Sequence, residues 1–336
     1  MDQTCLPVPD MDRKTIQKQL DENGYCVIPN VIPVQKCDEY LKDFQKWQSS
    51  FKETGESLKI RRSVIQSYRI GQFESVWKCR LHCKPVFELL WGTDKLLTSV
   101  DGMALADPPE IGNGEFREQG KYWLHLDQGV RRQGRHGYQG AVYLEETTDQ
   151  DYCLRVLKHS NQHHSSFFDN FPTAAAKTRR SEFFILSKPQ RKWYEDQGCP
   201  LVYVPVPKGG MVLWDSRTVH DTDPPQMDRL RKDKWRCVVF VSMSPAIWAG
   251  DDDISFKRKV YMDMQLTSHW SSQGQKSFKN YNPKKRKSDG AIIDKHTITD
   301  LPQIAKTTEV KLLMGVESYS FDDGKPNGPP APTWIP

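Results

Sequence analysis

The sequence predicts a mainly β protein, a β-sandwich or jelly roll beneath a helical N-terminal cover. Two observations carry this. From about residue 96 onward, short apolar runs of roughly four to seven residues alternate with Gly, Pro, Asp and Asn clusters. Before that point apolar residues recur at helical spacing, and no internal repeat divides the 336 residues.

Residues 12–50 read mainly as helix: Ile16 and Leu20, then Cys37, Tyr40, Leu41 and Phe44, fall on one helical face. Asn23-Gly24 and the strand-like Tyr25-Cys26-Val27-Ile28-Pro29 interrupt it. A second helical stretch surrounds 86–91 and stops at Gly92, a C-terminal glycine. The expected strands are 96–100, 122–126, 138–144, 154–157, 201–205, 211–214 and 235–241. Residues 165–198 and 255–300 are polar and helix- or loop-like. The expected organisation is a helical cover over 1–95, a β core over 96–250 with a polar insertion at about 165–198, and helical or loop support over 251–336, all in one compact domain.

Composition narrows the function classes. The chain is 37% hydrophobic, enough for a sizeable core, and carries a formal net charge of +5, too weak to imply nucleic acid. No apolar run approaches the roughly 20 residues of a membrane helix, and the N-terminus lacks a secretory pattern. The eight cysteines include no CxxC pair, which argues against a disulfide framework or structural zinc and for an intracellular, cytoplasmic setting. Pro283-Lys284-Lys285-Arg286-Lys287 reads as an exposed loop or a nuclear import signal.

The informative motif is His125-Leu126-Asp127. On a strand, residues i and i+2 share a face, so this imidazole and this carboxylate converge. A third ligand must come from elsewhere, and His220 is the candidate. Two His and one carboxylate on one face of an octahedron leave open positions suited to non-haem Fe(II) and O2. An isolated HxD also arises by chance, and single histidines are more often hydrogen-bonded surface residues.

The surrounding sequence resembles the phytanoyl-CoA dioxygenase family of Fe(II)/2-oxoglutarate oxygenases, built on a double-stranded β-helix (a cupin-like jelly roll). Trp123-Leu124-His125-Leu126-Asp127-Gln128 matches the metal-binding strand. Residues 153–160 resemble the family's LRVxPGSH strand and turn, with Lys158, His159 and Asn161 standing where Pro, Gly and His are usual. Pro207-Lys208-Gly209-Gly210, Trp214-Asp215-Ser216-Arg217 and His220 follow in the family's order. Ile65-Gln66-Ser67-Tyr68, Trp77-Lys78-Cys79-Arg80 and Thr267-Ser268-His269-Trp270 resemble a subgroup of it.

The resemblance implies an oxygenase that oxidises an unactivated C–H bond by hydroxylation, desaturation or ring closure, with release of succinate and CO2. It implies His125, Asp127 and His220 as Fe(II) ligands and Arg236, with Thr222, as holder of the distal carboxylate of 2-oxoglutarate. A planar guanidinium suits that task. Arg229 and Arg231 compete with Arg236. Retention of Asp127 argues against the family's halogenating branch.

Gln139 either reaches cosubstrate or substrate or makes a cross-strand bond. Arg131, Arg132, Arg135 and His136 cluster beyond the metal motif, either binding a substrate anion or forming a solvated loop. Arg62, Gln66, Tyr68 and Arg80, with Trp77, are candidates for the substrate wall. The expected partner is a small, anionic, carboxylate-bearing molecule met by a monomer. Acyl-CoA, nucleic-acid or protein substrates, and a non-catalytic binding module, remain as alternatives.

Overall fold

Asp12 starts the first helix: its carboxylate accepts the Thr15 N–H at 2.9 Å, satisfying one of the donors a helix N-terminus leaves free. Helix α1 (Arg13–Asn23) buries Ile16 and Leu20 and ends at Gly24, whose φ of 83° is left-handed. A Cβ at Gly24 would also meet Thr218 Oγ1 at 2.8 Å, so both backbone and space require glycine. Strand β1 (Tyr25–Ile28) and helix α2 (Val34–Glu53) follow, and α2 buries Cys37, Tyr40, Leu41, Phe44 and Phe51 on one face. The computed structural model describes residues 11–53, 55, 57–58, 60, 62–111, 115–278 and 296–335, with the backbone of 285–286 and 292–293.

Strand β2 (Val64–Ile65) leads to helix α3 (Glu74–Trp91), which ends at left-handed Gly92 as expected. It begins well before the apolar stretch at 86–91, because its buried face there carries Ser75, Cys79 and Arg80. Then come β3 (Leu96–Thr98), β4 (Met103–Ala106), β5 (His125–Leu126), β6 (Tyr138–Tyr143) and β7 (Cys153–Leu157). Helices α4 (His164–Asn170) and α5 (Pro172–Thr178), strand β8 (Phe184–Ile185) and helix α6 (Lys188–Asp196) occupy the region expected to be a polar insertion. It is amphipathic instead: Phe167, Phe168, Ala174 and Tyr194 pack into a core with Leu124, Leu126, Leu157 and Val219.

The remaining elements are β9 (Leu201–Val204), β10 (Met211–Asp215), β11 (His220–Asp223), β12 (Arg236–Pro245), α7 (Asp251–Met262), β13 (Leu266–Thr267), β14 (Ser277–Phe278), β15 (Lys285–Arg286), β16 (Ile292–Ile293) and α8 (Thr308–Leu313). The basic run at 283–287 otherwise lies outside the described residues. Each of the seven expected strands overlaps an observed one. The chain is mainly antiparallel sheet with helices, the expected fold class.

By internal contacts the described chain forms two units, Ile32–Ala106 with Arg236–Pro329, and residues 11–31 with Asp107–Trp235 and 330–335. They cut across the three consecutive segments expected, because β12 returns to pair with β3 and β4. In that first unit β2 continues the ladder on β4, and Trp91 of α3 donates its indole N–H to Met243 O of β12 at 2.8 Å.

The second unit holds two antiparallel ladders. One runs β1-β10-β6. The other runs β8-β5-β11-β7-β9. Along β5 the side chains alternate: Leu124 and Leu126 enter the core under α4 and α6, and Trp123, His125 and Asp127 turn to the opposite face. Among the described residues no helix is long and apolar enough to cross a membrane. The seven described cysteines are buried and outside any disulfide.

Candidate metal centre

His125 of β5 and His220 of β11 are direct cross-strand partners, so both imidazoles stand on the same sheet face. Asp127 joins them from two residues beyond His125. His125 Nε2 lies 3.6 Å from Asp127 Oδ1, and His220 Nε2 lies 3.4 Å from Asp127 Oδ2. One ligand atom from each of the three residues falls within 4.8 Å of the others, which is metal-ligand spacing.

Both rings are oriented from behind. His125 Nδ1 faces Trp123 O at 3.2 Å, and His220 Nδ1 faces Thr218 O at 2.9 Å. A carbonyl at Nδ1 selects the tautomer protonated there and leaves the Nε2 lone pair free for a metal. Burial, then the neighbouring His220, hold the His125 pKa below its ordinary value against the pull of Asp127. Gln139 of β6 donates its amide N–H to Asp127 Oδ2 at 3.1 Å, fixing the carboxylate's rotation. The Trp123 ring stacks on His125 (centroids 4.6 Å apart, planes 10° apart), and Trp214 lies 5.1 Å from His220.

Beneath the site, on the helix-facing side of the sheet, Arg155 of β7 holds Asp221 bidentately at 2.8 Å and 2.8 Å and Asp223 at 2.9 Å. Burial disfavours the Arg155 charge, but the two carboxylates outweigh it and keep its pKa above the ordinary value. Asp221 also accepts the Trp123 backbone N–H at 3.1 Å. The ion pair thus ties β5, β7 and β11 together behind the triad. Sequence reasoning missed this role, although Arg155 sits inside the 153–160 segment and Asp221 directly follows His220.

The other expected site residues divide. Thr222 shares the face of His220 by strand alternation, and its carbonyl accepts the Trp123 indole N–H at 2.8 Å. Arg131 is half-buried and donates to Arg179 O at 3.3 Å. Arg132 is buried, paired with Glu182 at 2.5 Å, its guanidinium 4.9 Å over the Trp334 ring. Arg135 pairs with Asp21 at 2.6 Å, and His136 bonds Thr333 O at 2.9 Å. Arg132 and Arg135 therefore spend their charge internally.

Arg62, Gln66, Tyr68, Arg80 and Arg236 belong to the first unit. Arg80 is fully buried and donates to the carbonyls of Gly71 and Asp101, and Tyr68 is buried against Trp47 and Phe51. Both are parts of a core rather than of an open wall. Gln66 is exposed. Arg236 is buried at the start of β12 and donates to Arg62 O at 3.1 Å. Its competitors hold carboxylates: Arg229 grips Glu110 and Asp151, and Arg231 reaches Glu146 and Asp151.

His159 has φ 70°, so a histidine adopts the left-handed turn where the family pattern has glycine. His164 is not near the triad's donor atoms; its Nε2 meets Gln128 O at 2.9 Å.

Comparison with known proteins agrees with the geometry. A family model described as phytanoyl-CoA dioxygenase (PhyH) matches residues 20–232. A curated relative, Ava biosynthesis cluster protein O of Aspergillus versicolor, is 27% identical over 268 residues, covering 75% of this chain and 84% of its own. Among solved structures, GlcNAc Inducible Gene 2 (GIG2) of Candida albicans aligns with a TM-score of 0.61 at 14% identity, covering 96% of this chain and 80% of that one, a likeness of fold. The non-haem α-ketoglutarate-dependent carbocyclase SnoK from nogalamycin biosynthesis aligns more loosely, with a TM-score of 0.46 at 15% identity over 70% of this chain and 85% of its own.

Proposed function

Because the chain belongs to the phytanoyl-CoA dioxygenase family of non-haem iron, 2-oxoglutarate-dependent oxygenases, we propose that it oxidises an unactivated C–H bond of a small organic molecule, with release of succinate and CO2. The outcome class is hydroxylation, desaturation or ring closure. The observation that supports it most is the convergence of His125, Asp127 and His220, two imidazole nitrogens and a carboxylate within 4.8 Å. That donor set fits ferrous iron with open positions. Bound iron, with 2-oxoglutarate and O2, supplies the oxidising power.

The chain's own groups do the rest. The Trp123 and Thr218 carbonyls hold the imidazoles with Nε2 free. Gln139 keeps Asp127 from swinging into bidentate or solvent-facing rotamers. Trp123 and Trp214 pack against the ligand rings and restrict water. For the distal carboxylate of 2-oxoglutarate we assign Arg236, with Thr222, on the family resemblance. Support comes from the commitment of Arg229 and Arg231 to carboxylates of their own. The printed name of the Aspergillus relative places that protein in a biosynthetic cluster, which supports a small-molecule role here.

The deciding experiment is anaerobic titration of the chain with Fe(II) and then 2-oxoglutarate, followed by absorbance and by succinate release on admitting O2. One iron and one 2-oxoglutarate should bind per chain, and His220→Ala should abolish both. Failure of the wild-type chain to bind iron would end the assignment.

A further inference from the structure

The five-stranded ladder of the second unit ends at β8, and what that edge presents to the triad bears on the substrate. Along 183–186 the side chains alternate. Phe184 and Leu186 pack toward the core under the helices, whereas Phe183 and Ile185 turn to the face that carries His125. Ile185 stands directly opposite His125 in the strand register, and the Phe183 ring lies 4.8 Å from the His125 ring at 43°. His125 itself is 4% exposed, yet Phe183 is 45% and Ile185 41% exposed.

Single exposed apolar residues are ordinary. Here two large ones adjoin on one strand face, and one of them touches the His125 imidazole, on which Trp123 also stacks. The adjacent charge is cancelled, since Glu182 is paired with buried Arg132. On the triad-facing side the edge strand thus presents Phe183 and Ile185, both apolar.

We propose that Phe183 and Ile185 form a specificity-determining lip that seats a flat, apolar ring system of the substrate beside the metal centre. The proposal rests on the oxygenase reading above. An aromatic or fused-ring face laid on Phe183 removes apolar surface from water on both sides and gains ring–ring contact, at a distance from His125 that suits oxidation of a C–H bond on or next to the ring. A small dicarboxylate gains nothing from this lip. Of the five arginines behind the expectation of an anionic substrate, Arg132 and Arg135 pair with carboxylates and Arg80 is buried on carbonyls, whereas Arg131 donates to a carbonyl and Arg62 is half-buried.

Two arms test this, with 2-naphthylmethanol as apolar probe and adipate as anionic probe, on the full chain with 2-oxoglutarate present. Saturation-transfer NMR, which needs no metal, should show naphthylmethanol binding that adipate does not displace. Phe183→Ala and Ile185→Ala, both at exposed positions that leave folding intact, should each weaken it by about fivefold, and Phe183→Trp should restore it. With Co(II) in place of iron, the naphthyl protons should relax faster, and Phe183→Ala should reduce the effect in proportion to the lost binding. Undetectable naphthylmethanol binding, binding unchanged in Phe183→Ala, or preferential adipate binding would overturn the lip. Absence of Co(II) uptake alongside Phe183-dependent binding would overturn the metal reading and leave the lip standing.

Discussion

At the proposed metal site, the orientation of Asp127 depends on Gln139 behind it. Removing the amide in Gln139→Leu frees Asp127 to rotate, and metal affinity should fall by about 10- to 100-fold with folding unchanged, measured by anaerobic Fe(II) or Co(II) titration. Arg236→Gln should act differently, raising KM for 2-oxoglutarate at least about tenfold while iron affinity stays near wild type, since a buried carboxylate losing its charged partner costs about 2–5 kcal/mol. If Arg229→Gln gives that phenotype instead, the assignment of the cosubstrate arginine is shifted. At this scale the sequence is unevenly legible. Strand alternation alone puts His125 and Asp127 on one face, but His220 is found through the order of family motifs, because nothing local says which strand lies opposite β5. Phe183 is not legible at all: its exposure follows from β8 being an edge, which no local pattern records.

At the scale of elements, β11 is instructive. It reads His-Asp-Thr-Asp, with no apolar residue, and so escapes any hydrophobic pattern. Its two faces are both polar for different reasons, one carrying His220 and Thr222 and the other giving Asp221 and Asp223 to Arg155. Arg155→Met should leave buried Asp221 without its cation, Asp223 keeping Arg117 at 2.6 Å, and destabilise the second unit by about 3–5 kcal/mol in urea unfolding. A loss under 1 kcal/mol would mean that the ion pair is replaceable by packing. The turn after β5 carries a pH dependence of its own. Gln128 donates to the carbonyls of Arg132 and Gly134, accepts from Ser216, and meets His164 through its own carbonyl. Burial pushes the His164 pKa down to about 4. Unfolded, His164 takes a proton near pH 6.5, so the neutral folded form favours folding fully above that pH and loses this contribution as pH falls through about 4. Stability should therefore decline between those values by on the order of 3 kcal/mol from this group. His164→Gln, which keeps a donor but cannot titrate, should flatten the decline in thermal melts.

Across the whole molecule, the seven apolar runs locate seven strands and the fold class, but neither β4 nor β11, nor the units. Those follow from which strands pair, and β12 reaching back to β3 and β4 is a long-range choice that short windows do not carry. Metal should stabilise the chain as any ligand of the native state does. A concentration 100 times Kd contributes about 2.7 kcal/mol and raises Tm, and a chelator reverses the rise. In His125→Ala the shift should vanish. The direct pairing of His125 with His220 has one more consequence. Strand β5 is two residues long, and a slip of one residue would exchange His125 for Leu126 on the metal-facing side. Such a chain would be compact and metal-blind, so a bound cation would reward only the molecules whose strands have met in the right phase. Refolding from urea with Co(II) present should then yield a larger metal-competent fraction than adding the same Co(II) after refolding is complete.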